Sequence, residues 1–141
     1  MEKWMLYAIL SMFFAGGTSV LAKFGLKEVD ANTGLLIRTA VVMGFIIINF
    51  FLFKETVQID TLSRKHVIFL ILSGMTTGFS WIFYYKALKL GNVSYVATID
   101  KGSIVVAIVL SYFLLKEPIT PKLLVGGGLV LAGLLVMVFW D

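Results

Sequence analysis

Five stretches of this chain are each apolar for about the 20 residues that an α-helix needs to cross the hydrocarbon core of a bilayer. They run from about residue 4 to 22, 33 to 53, 67 to 85, 93 to 115 and 123 to 140. Inside lipid no water pairs with the backbone, so each stretch has to satisfy its own N–H and C=O groups as a helix. A membrane β-barrel would show ten-residue segments of alternating polarity, and the sequence has none. The residues are 60% hydrophobic and 14% charged, against about 45–50% apolar and 25% charged in a soluble domain. A water-soluble fold of this length could not hide so much apolar surface. The expectation is one all-α integral membrane domain over residues 1–141, a bundle of five transmembrane helices. The first stretch is too long for the apolar core of a cleaved signal peptide, which runs about 7–15 residues.

Composition removes several chemistries. With no cysteine there is no disulfide, thiolate nucleophile or thiolate metal site. The single histidine, His66, sits beside Arg64 and Lys65, and the eight acids are thinly spread. No metal and no cofactor is expected. The net charge of +4 suits basic loops lying on anionic lipid headgroups, and membrane lipid is an expected partner. Nucleic acid is not, because no basic stripe with interleaved aromatics appears.

Five spans put the two termini on opposite faces. The N-terminal face carries six basic residues, Lys3, Lys54, Arg64, Lys65, Lys116 and Lys122. The other face carries five, Lys23, Lys27, Lys86, Lys89 and the shallow Arg38. Orientation follows the difference in basic residues between faces, and six against five orients weakly. An odd number of spans also leaves no room for an inverted repeat within one chain, the architecture many transporters use around a midplane site. Two copies inserted in opposite senses supply both halves, so an antiparallel homodimer is expected as the working unit.

Charge inside a span is costly and points to function. Asp100 is the one carboxylate deep in a span, and Lys101 follows it. Arg38, about 8 Å into span two, and Asp100, about 10 Å into span four, enter from the same face at 1.5 Å per residue. They are candidates for substrate binding or coupling, with a structural ion pair as the alternative. Side chains adjacent on a helix diverge by about 100°, so Asp100 and Lys101 are expected to face different partners. Trp81, Tyr84 and Tyr85, with Tyr95, Lys23 and Lys86, mark a cationic, aromatic vestibule for amphipathic or anionic organic molecules. The alternative is an interfacial belt, which also accounts for Trp4, Tyr7, Tyr112 and Trp140. Gly16, Gly17 and Ser19 interrupt span one and are expected to bare its backbone to a cavity. Gly74 and Gly78 form a GxxxG, and Gly126, Gly128 and Gly133 line span five; small residues of this kind let helices approach closely, within the chain or across a dimer.

Taken in order, these motifs resemble the EamA-type drug/metabolite transporters. The resemblance rests on the Gly-rich first span ending in Lys23 with Gly25-Leu-Lys27 after it, and on Arg38 near the start of span two. It continues through Lys86 to Ser94, Ile99-Asp-Lys-Gly-Ser103, the turn from Leu114 to Thr120 with Glu117, and the glycines from Gly126 to Gly133. It covers nearly the whole chain. Ten-span relatives often carry a proline near the position of Asp100 and Lys101; this chain has none there, as in the five-span branch of bacteria and archaea. The resemblance implies half of a ten-helix inverted-repeat transporter. Its expected function is secondary transport or export of small organic metabolites or drugs across the cytoplasmic membrane by alternating access. The four-span multidrug relatives couple to protons through a glutamate in span one; no acid lies there, which leaves Asp100. The competing readings are a lipid-translocating or accessory protein of the same fold and an ion channel. An enzyme is not expected, since the spans offer no paired acid and base.

Overall fold

The computed structural model describes residues 3–53 and 63–139. Lys54 of the topology comparison and Trp140 of the expected belt lie outside the described residues. The elements are α1 (Lys3–Gly25), α2 (Ala31–Leu52), α3 (Arg64–Leu90), α4 (Val93–Asp100) and α5 (Ser103–Leu110). A π-helical turn (Ser111–Leu115) and α6 (Pro121–Phe139) complete the order. There is no strand among the described residues. Among the described residues five helices are long and apolar enough to cross a membrane, with Val93–Leu115 counted as one span. The fold is all-α.

The helix ends follow local chemistry. Asp30 caps α2: its Oδ2 accepts from Asn32 N at 2.9 Å and Thr33 N at 3.4 Å, taking up N–H groups that have no partner inside the helix. Ser63 Oγ accepts from His66 N at the start of α3. Thr120 Oγ1 accepts from Leu123 N, and Pro121 follows as the first residue of α6, where its missing N–H costs nothing. After the π-turn Lys116 adopts the left-handed conformation, φ 56°, and Glu117 N closes back on Ser111 O at 3.3 Å.

Several helices reach past the bounds that the apolar pattern predicts, most clearly at two C-terminal ends. α3 continues five residues past 85, to Leu90, and α1 three residues past 22, to Gly25. Hydropathy marks the lipid-soluble part of a helix, whereas lysines in a last turn complement its dipole and prolong it past the core. Span four is also no single helix. At Lys101 and Gly102 the hydrogen bonds shorten: Lys101 N donates to Thr98 O, Gly102 N to Ile99 O and Ile104 N to Lys101 O. This is a 3₁₀-type step between α4 and α5.

The chain packs as two compact units, Met1–Gly16 with Gly91–Asp141, and Gly17–Leu90. In the Gly17–Leu90 unit α2 packs along α3, and Leu26, Ala31, Tyr85 and Leu88 are buried at one end. Gly34 makes this closeness possible: a Cβ there would stand 2.5 Å from Leu26 Cδ2. In the other unit α5 and α4 pack on α6. Leu134 is buried, and a Cβ on Gly127 would stand 2.9 Å from Ile108 Cδ1. Large apolar side chains elsewhere point outward, Phe45 and Phe113 among them, as expected where the solvent is lipid.

Candidate functional site

The Gly17–Leu90 unit holds a cavity of about 380 Å³. Its position follows from the cap and the close approach. Asp30 starts α2, Gly34 seats that helix against Leu26 and Tyr85, and one turn later Arg38 meets α3. Trp81 and Tyr85 are four residues apart and so share one face of α3. The Arg38 guanidinium carbon lies 4.4 Å from the centre of the Trp81 ring and 5.6 Å from that of Tyr85. Both distances fall within the reach of a cation–π attraction. The cavity is walled by Leu21, Ala22, Leu26, Val29 and Ile37, with Thr18, Arg38 and Tyr85 supplying the polar groups. A planar cation at the edge of an apolar chamber can hold an organic molecule that has one charged or polar end.

Beside the cavity, Tyr84 donates its hydroxyl hydrogen to Ser19 Oγ at 2.7 Å, and Ser19 is the buried polar residue of α1. Two lysines tie the ends of α1 and α3 together. Lys23 on α1 donates to Leu88 O at 2.5 Å. Lys89 on α3 donates to Leu26 O at 2.5 Å and to Lys27 O at 3.0 Å. Each helix thus supplies the cation that satisfies carbonyls at the other's C-terminal end, groups with no partner inside their own helix. Lys23, expected in a vestibule, spends its ammonium group on this tie. Lys86 is exposed.

The second group of expected residues lies in the other unit. Asp100 ends α4, and its Oδ2 stands 3.7 Å from Lys101 Nζ. Lys101 sits in the 3₁₀-type step just after α4, and the two side chains bend toward each other although neighbours on a helix leave the axis in different directions. Their side chains are 37% and 54% exposed, so the pair contributes little to stability. The step also redirects the backbone. Ile104 N, which would serve the Asp100 carbonyl in an unbroken α-helix, donates to Lys101 O instead.

The expected residues therefore fall into three groups. Arg38, Trp81 and Tyr85 come together at the cavity, Ser19 and Tyr84 pair beside it, and Asp100 and Lys101 pair at the helix step. Tyr95 is exposed. α1 runs without interruption through Gly16 and Gly17, and a Cβ on either would meet nothing within 4 Å. The same holds for Gly74, Gly78, Gly126, Gly128 and Gly133, so the small faces of α3 and α6 have open space beside them. Among the described residues no group of three histidines or acids could hold a metal ion. Gly34, Leu26 and Leu88 shape the site and carry no motif; a lone glycine four residues after a capping aspartate was the one available signal.

Comparison with known proteins gives a family match over residues 2–139, described as the EamA-like transporter family. A protein of a Sinorhizobium species described as an uncharacterized transporter in the cobO 3′ region is 33% identical over 136 residues, covering 96% of each chain. No solved structure matches at a significant level.

Proposed function

We propose, from the premise that this chain belongs to the EamA-like transporter family, that it is a secondary transporter of small organic metabolites or drugs across the cytoplasmic membrane. The family and the relative's description support a multi-pass membrane transporter rather than an enzyme. The observation that carries the finer reading is the cavity beside Arg38. Sites for small organic molecules are concave and mostly apolar, with a few convergent polar groups and volumes of about 300–1,000 Å³. The 380 Å³ chamber with its single cation and one threonine has that make-up.

The reading takes residues 1–141 as one transmembrane domain working by alternating access. The 3₁₀-type step at Lys101 and Gly102 supports it, because transporters build moving parts from discontinuous helices and such steps often mark hinges. Asp100, at the step, is the coupling candidate. The working unit is an antiparallel homodimer. Its support is the near-balance of basic residues between the faces and the open space beside Gly74 and Gly78. The experiment is counterflow in proteoliposomes: preloaded unlabelled substrate should drive transient accumulation of labelled substrate. A channel equilibrates without overshoot, and that result, across a panel of metabolites, overturns the carrier reading.

A further inference from the structure

Arg38 is a planar cation fixed in an apolar wall, with no opposite charge beside it among the described residues of its unit. The rings of Trp81 and Tyr85 attract the charge, but ring faces leave most of the five N–H donors of a guanidinium unmatched. Within its unit the described acids are Glu28 and Asp30. Asp30 caps α2, and neither forms an ion pair with Arg38. An arginine about 10 Å along a membrane helix is costly without a partner. The rings hold its position, and no described acid of its unit supplies the anion. The rest of the cavity says what that anion is attached to, since Leu21, Leu26, Val29 and Ile37 line an open apolar groove.

We infer that the cavity binds an organic monoanion, a carboxylate on an apolar body, with Arg38 as its counter-ion. This deepens the transport reading of the same cavity and rests on it. Arginine suits the task better than lysine, because its fork matches a carboxylate with two parallel hydrogen bonds and its plane lies well against aromatic rings. The headgroup of an anionic lipid offers the same chemistry, an anion on an apolar body, and is the second source of such a ligand.

The test is calorimetric titration of the full chain in phosphatidylcholine nanodiscs with benzoate, phenylacetate and octanoate, each beside its neutral amide. At least one acid should bind about tenfold or more tightly than its amide, the scale of a charge-assisted hydrogen bond. Arg38→Met should remove the preference. Arg38→Lys should keep it at lower affinity, and melting of each variant without ligand checks that it is folded. If Arg38→Met does not fold, Arg38→Gln takes its place in the comparison. Wild-type protein that treats acids and amides alike, or a neutral variant that keeps the preference, overturns the inference. Phosphatidylglycerol in the disc separates the sources: competition with the acid makes the lipid the resident anion, and no effect leaves the soluble carboxylate. Counterflow of the same probes separates this inference from the reading it rests on. Acid-selective binding without counterflow sinks the transport reading and keeps the anion site. Counterflow indifferent to charge sinks the anion site and keeps transport.

Discussion

Gly34 and Asp100 show how differently single residues are constrained in this molecule. Gly34 admits no side chain: its Cβ would stand 2.5 Å from Leu26 Cδ2, and Leu26 is itself buried. Gly34→Ala therefore has to displace the buried Leu26 side chain or shift α2 away from it. Overfilling of this kind costs about 1–3 kcal/mol, and equilibrium unfolding in mixed micelles should read a loss of that size. The same variant should weaken ligand binding, because Arg38 lies one turn further along the displaced helix. Asp100 is the opposite case. Its partly exposed pair with Lys101 makes Asp100→Asn a change within about 0.5 kcal/mol in stability. Uphill transport driven by an imposed ion gradient should nevertheless be lost if the carboxylate couples transport; normal uphill transport by the variant returns Asp100 to a structural role. Arg38 and Asp100 were both legible in the sequence, since charge inside an apolar run is visible without a structure. Their partners were not. Trp81 lies 43 positions after Arg38, and equal depth along two spans does not say which neighbour a side chain turns toward.

Among the elements, the helices were legible because hydropathy over about 20 residues is a strong signal. The break in span four was not, because Ile99 and Ile104 keep the apolar pattern on both sides of Lys101 and Gly102. Nor was the tie between α1 and α3. A lysine just beyond a span reads as a headgroup contact, and only the folded chain shows that Lys23 and Lys89 reach carbonyls 62 to 65 residues away. Each tie is a hydrogen bond from a charged donor, worth about 1.5–3 kcal/mol at most when shielded. Lys23→Met and Lys89→Met should each destabilise the chain by about 1 kcal/mol. The double variant should lose more than the sum, because either tie alone still joins the two helix ends. Unfolding of all four proteins in one micelle composition checks this; strict additivity means that the two ties act on separate structures.

For the whole molecule, the balance of basic residues predicts how the chain enters the membrane. Extra lysines on the N-terminal face, or on the opposite face, should lock insertion one way. Each locked variant should transport poorly alone, and co-expression should restore activity. Full transport by one locked variant rules out the antiparallel dimer. The chain also contains three tryptophans, Trp4, Trp81 and Trp140, and Trp81 lies directly beneath the Arg38 guanidinium. Replacing Trp4 and Trp140 by phenylalanine leaves one indole whose excited state feels a positive charge 4.4 Å away. When a bound molecule screens that charge, the emission should change colour. The contact that fixes the arginine thus equips the protein with a built-in optical gauge of occupancy, read during turnover without any added label.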